Sequence, residues 1–121
     1  MKTLKKLFRK PAILLVTLWA RRTYRQGVEA AERRHRDTGE MIYLAANSFR
    51  PDRLVTYNKA QFKFEKRVYG VAARLLTMNT LRSGCYYHTA DRLGGNALTP
   101  RDREIRRKAF IKERLRLAGL I

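Results

Sequence analysis

Residues 58–84 constrain the fold more than any other stretch, because a start signal, a two-faced period and a stop signal coincide there. Asn58 reads as an N-cap whose side-chain oxygen accepts the orphan amides of a first helical turn. Gln61, three residues on, supplies the return half of a capping box. Gly84 reads as the left-handed residue that stops the helix. Turning each residue by about 100° gathers Phe62, Phe64, Val68, Tyr69, Val71, Ala72, Ala73, Leu75, Leu76 and Met78 on an arc wider than half the circumference. Lys59, Lys63, Lys66, Arg67 and Arg74 form the stripe that remains. A surface helix typically shows an apolar arc of about 100°, so a broader one predicts a central helix covered from two sides, the spine of a small core with its basic stripe outside. Glu65, the one acid of this helix, falls on the apolar arc. It reads as the partner of an arginine from the first or last helix, since neither a nucleophile nor a second acid accompanies it.

Upstream, Pro11 fits the first position of a helix, where its missing amide costs nothing, and the helical pattern runs on to about Arg36. Ala20, Tyr24, Val28, Ala31 and His35 share one face. Arg21, Arg22, Arg25, Glu29, Glu32, Arg33 and Arg36 share the other, which reads as a mixed-charge solvated surface with i, i+4 pairs. Residues 12–20 are apolar nearly all round, which means burial or a role outside the fold. Leu14, Leu15, Leu18 and Trp19 are therefore candidates for contact with a partner or a membrane, the alternative being that Trp19 and Leu15 cap the core.

Asp37, Thr38 and Gly39 end that helix. Residues 41–46 and 53–57 read as two strands of a hairpin with Pro51 in its connection, and a lone hairpin is marginal in water, so it is expected to lie on the central helix. Phe49 at the hairpin tip reads as a local packing residue. Residues 85–89 are compatible with a third short strand or an aromatic-anchored loop, and Gly94 and Gly95 keep the next stretch irregular. Thr99 as N-cap and Pro100 at the first position then start a last helix that reaches about Leu117, with Gly119 as its stop. Its apolar residues fall on no single stripe and eight cations surround them. It is expected to be an arm against nucleic acid or another chain. The predicted fold class is α-rich α+β, three helices with a β-hairpin between the first and the central one. The 121 residues make one domain, with a basic tail over 1–10 and a basic helical arm over 99–121.

The charge points to the partner. A net charge of +18 with 45% hydrophobic residues describes a folding chain that repels itself unless polyanions neutralise it. The 19 arginines outnumber 9 lysines, and a planar guanidinium holds phosphate oxygens two at a time. The leading expectation is a non-enzymatic protein that binds DNA or RNA through phosphates with little sequence preference. Its contacts would be Lys59, Lys63, Lys66, Arg67, Arg74, Arg103, Arg106, Arg107 and Arg114. Two other classes fit: a structural subunit of a virion or ribonucleoprotein, and a peripheral membrane protein anchored by its N-terminal amphipathic segment. One cysteine excludes an internal disulfide framework. The basic start and nine-residue apolar run outline a signal, but Leu18 spoils the cleavage pattern and Arg21 and Arg22 follow at once, so a cytoplasmic protein is expected.

No constellation reads as catalytic and no cofactor is implied. His35, Arg36 and Asp37 spell a kinase tripeptide, but Ile42 stands where the asparagine belongs. Cys85 and His88 have ligand-like spacing without further ligands to complete a zinc site. Gly94 and Gly95 lack the flanks of a phosphate loop. The arginine-rich helix ending His35, Arg36, Asp37, Thr38, Gly39, Glu40, the strand pair, the run Asn58, Lys59, Ala60, Gln61, Phe62 and the tail Cys85, Tyr86, Tyr87, His88 before the Pro100 helix together resemble short basic proteins of bacterial phages and other mobile elements. That resemblance implies a mobile-element context and no activity. Ribosomal proteins match in size and charge, but no ribosomal motif is present.

Overall fold

Spacings of three and four residues put Ala20, Tyr24, Val28, Ala31 and His35 on one side of a helix, and all five are buried. They belong to α1 (Lys2–Thr38), the longest element of the chain. The computed structural model describes residues 2–46, 53–68, 78–95 and 97–121, with side chains described outside residues 2–8, 65–68 and 78–80. After α1 come β1 (Tyr43–Ala46), β2 (Leu54–Tyr57), α2 (Lys59–Val68), α3 (Met78–Gly84), β3 (Tyr87–His88) and α4 (Pro100–Leu117). The fold is helix-rich α+β with a small antiparallel sheet in the order β2-β1-β3.

The expected hairpin lies between the first two helices, with Tyr43 opposite Tyr57 and Ala46 opposite Leu54. Its connection, including Phe49 and Pro51, lies outside the described residues. Residues 85–89 resolve into a strand: Tyr43 faces His88 and Leu44 faces Tyr87. Tyr86 N–H donates to the Leu44 carbonyl (2.9 Å) and Thr89 N–H to that of Ile42 (3.0 Å). The buried Thr89 hydroxyl then accepts from Ile42 N–H at 2.9 Å. These bonds give backbone groups of β1 and β3 partners inside an apolar layer, which is the condition for burying so short a strand.

Three capping signals act as read, those at Asn58, Thr99 and Gly119. Gln61 N–H donates to Asn58 Oδ1 (2.7 Å) and Asn58 N–H to Gln61 Oε1 (3.0 Å), a reciprocal box. Thr99 accepts from Asp102 N–H, and Pro100 opens α4. Gly119, at φ +73°, ends it. Its amide reaches the Arg116 carbonyl (3.0 Å) and the Leu120 amide reaches that of Leu115 (2.9 Å), both bonds of a Schellman motif.

Among the described residues the core is built by Ala20, Tyr24, Val28 and Ala31 of α1, Ile42, Leu44 and Tyr87 from the sheet region, and Phe110 of α4. The spine of this described core is α1, and the hairpin lies on α1. At Gly27 the missing side chain lets Leu44 come within 3.0 Å of where a Cβ would stand, so the sheet seats directly on the helix. On α2, Phe62 is buried but Phe64 is 61% exposed. Two positions apart on a helix point about 200° away from each other, so a neighbour on one side covers only one of them. The continuity of the central helix across residues 69–77, and with it Tyr69, Val71, Ala72, Ala73, Leu75 and Leu76, lies outside the described residues, as do the side chains of Glu65, Val68 and Met78.

Three expectations are corrected. Pro11 is not the first helical residue: α1 begins at Lys2 and carries Pro11 inside. The turns before the proline are tied down from elsewhere, since the Arg9 guanidinium donates to the Leu120 carbonyl beyond α4 (3.0 and 3.2 Å). Gly84 does not take a left-handed conformation, because Cys85 N–H still bonds Leu81 (2.8 Å) and the chain passes straight toward β3. Finally, α4 is no free arm. It docks along α1 through Phe110, whose ring meets Tyr24 (centroids 5.9 Å) and Tyr86 (5.2 Å). A single large anchor, flanked by Leu98 and Ile111, holds a helix that has no continuous apolar stripe.

Candidate nucleic-acid interface

α1 and α4 run antiparallel: Arg9 meets Leu120, Trp19 meets Arg114, and Tyr24 meets Phe110. Helices carrying their cations at i, i+1 and i+4 on one side and i, i+4 on the other bring them into one trough when paired this way. The result is a groove of about 580 Å³ lined by Arg21, Arg22 and Arg25 of α1 and Arg103 and Arg107 of α4, with Leu18, Tyr24, Leu98 and Pro100 between them. Its one acid, Glu104, is already held by Arg107 at 2.5 Å. Arg107 also keeps a buried Nε that has no hydrogen-bond partner, a group that costs free energy until an acceptor reaches it. Burial pushes the Tyr24 hydroxyl up to about 12, so it stays a neutral donor, and it gives its proton to the Tyr86 carbonyl at 2.7 Å.

The expected contact residues divide. Lys59 and Lys63 are exposed, but they border a depression of about 710 Å³ shared with Glu40 and Asp91, whose charges oppose theirs. The side chains of Lys66 and Arg67, and all of Arg74, lie outside the described residues. Arg103 is exposed, its guanidinium 5.7 Å from the Tyr87 ring centre. Arg106 faces inward, donating to the carbonyls of Arg82 (3.0 Å) and Cys85 (2.7 Å), which fixes the turn between α3 and β3 against α4. Its Nη1 donors are spent on the fold. Arg114 stacks on Trp19 at 4.4 Å. Of the apolar candidates, Leu14, Leu15, Leu18 and Trp19 are all exposed, so Leu15 and Trp19 do not cap the core.

Arg21, Arg22 and Arg25 were not among the expected contacts, because on α1 alone they alternate with Glu29 and Glu32 and look like a mixed surface. Glu32 is in fact turned inward, where its carboxylate accepts from the Tyr87 hydroxyl. The missed signal was the charge of the preceding chain: no acid occurs before Glu29.

Among the described residues no group of three or more His, Cys, Asp and Glu is placed to hold an ion. Burial raises the Cys85 thiol above its ordinary pKa, and its sulfur sits beside Arg106. His35 is engaged with the Glu40 carbonyl at 2.6 Å, as a helix end rather than a catalytic loop. No helix among the described residues is long and apolar enough to cross a membrane. No family model, no curated protein and no solved structure matches the chain.

Proposed function

We propose that the chain is a non-enzymatic nucleic-acid-binding protein that holds DNA or RNA phosphates in the groove between α1 and α4. The observation that carries this reading is the convergence of five arginines from two helices on one trough whose single acid is already paired. Guanidinium forks match phosphate oxygens in pairs. The groove offers few groups that distinguish one base from another, so sequence preference is weak. The reading implies a place in the cytoplasm or within a nucleoprotein particle, compatible with a virion or mobile-element context.

Salt tests it. Each neutralised phosphate contributes a slope of about −0.9 in log K against log salt on duplex DNA. Replacing Arg22, Arg25, Arg103 and Arg107 by glutamine flattens that slope by roughly two to four units. Replacing Lys59 and Lys63 changes it less, because Glu40 and Asp91 already oppose them. A quadruple variant with the wild-type affinity and slope refutes the reading.

A further inference from the structure

Leu14, Leu15, Leu18 and Trp19 are 60%, 67%, 52% and 47% exposed, an unusual set of large apolar side chains to leave open on a highly charged chain. At about 100° per residue they span an arc of about 140° on α1, opposite Ala20, which is fully buried. The antiparallel pairing carries Leu117 and Ile121, both exposed, to the same end of the molecule, where Arg9 holds the Leu120 carbonyl. Along α1 the charge flanking this patch has one sign: Arg9 and Lys10 precede it, Arg21 and Arg22 follow it, and no acid occurs before Glu29, while Glu113 of the paired α4 is held by Arg116.

We infer that residues 14–19 form an interfacial face that lies on an anionic lipid surface, beside the groove and meeting it at Leu18. The patch adjoins the groove at Leu18, Arg21 and Arg22, but leucine side chains give a phosphate backbone nothing to bond, so phosphate alone does not account for Leu14 and Leu15. A second copy of the chain would bring two cationic rims together, and like charges across an interface oppose association. Acidic headgroups over acyl chains satisfy both halves of the patch, cations in the polar layer and leucines just beneath it. Tryptophan is suited to that boundary, with an apolar body and one polar N–H. The Arg114 guanidinium over its ring holds Trp19 in place at the edge. The apolar run is nine residues, against the ~20 needed to span a bilayer, so α1 lies along the surface.

Trp19 is the only tryptophan, which makes it a reporter. The full chain, treated with nuclease, is titrated with vesicles of phosphatidylcholine alone or containing phosphatidylglycerol. Anionic vesicles are expected to shift Trp19 emission to the blue and shield it from acrylamide, and salt to reverse both. The variant L14Q/L15Q/L18Q is expected to lose vesicle partition at least tenfold with an unchanged circular dichroism spectrum. Should that variant fail to fold, quenching of wild-type Trp19 by lipids brominated on their acyl chains decides alone: quenching supports the inference and its absence overturns it. R103Q/R107Q, which weakens the proposed nucleic-acid site, is expected to partition within about twofold of wild type. No blue shift on anionic vesicles overturns the inference. So does a shift that grows with protein concentration without lipid, which would mean self-association, or a loss in R103Q/R107Q as large as in the leucine variant.

Discussion

Phe110 shows how one residue decides the placement of an element. It is 1% exposed and touches aromatic rings from both α1 and the approach to β3. Truncating such a side chain costs about 3–5 kcal/mol, so Phe110→Ala is expected to lower the melting temperature sharply and to expose Trp19 by loosening α4 beneath it. A thermal melt followed by tryptophan emission checks both. His88 is buried against β1, and burial drives its pKa below the ordinary 6.5. A group that binds its proton less readily when folded contributes stability above its unfolded pKa and loses it as pH falls. Melting temperature is therefore expected to drop between about pH 7.5 and 5.5, and His88→Asn to flatten that dependence; an equal drop in the variant would place the effect elsewhere. At this scale the sequence was least informative where partners are distant. Arg106 looks like any surface cation in a basic helix, and only the fold brings the carbonyls of Arg82 and Cys85 to it.

Elements were legible where their signals are local. The Asn58 and Gln61 box, the Thr99–Pro100 start and the Gly119 stop depend on neighbours within a few residues, and each takes the predicted form. The box is reinforced by a contact no local rule contains, since Arg34 of α1 donates to Gln61 Oε1 at 2.5 Å and to the Thr56 carbonyl at 3.1 Å. Asn58→Ala is expected to cost about 1 kcal/mol in denaturant unfolding. Pro11 and Gly84 misled for a related reason: both residue types favour helix ends, yet tertiary contacts beyond the helix settle whether it ends there. Gly27 is the reverse case, a glycine inside a helix that looks like a weak point and serves as a seat for Leu44. Gly27→Ala gains up to about 1 kcal/mol of helix propensity, but its Cβ would stand 3.0 Å from both Leu44 methyls, which are buried and cannot withdraw. Overpacking costs about 1–3 kcal/mol, so a net loss of stability is expected; a more stable variant would show that the sheet has room to shift.

The whole molecule is governed by its charge. The arginine groove exists only because α1 and α4 pair antiparallel, which neither helix announces. A chain of net charge +18 stores self-repulsion whenever it is compact. Surface charges are screened beyond about 10 Å at 0.1 M salt, so the melting temperature is expected to rise from low to moderate ionic strength. A short oligonucleotide or inorganic polyphosphate should raise it further, because a ligand that binds only the folded state adds its own stabilisation. Replacing Arg22, Arg25, Arg103 and Arg107 by glutamine separates the two effects. It removes four positive charges from one trough, so at low salt the variant is expected to melt at or above the wild-type temperature, and it should gain much less from polyanions. Calorimetry with and without polyphosphate reads both numbers. If the variant instead melts lower at every salt concentration, these arginines hold α1 and α4 together, and the groove is a structural seam rather than a site for phosphate.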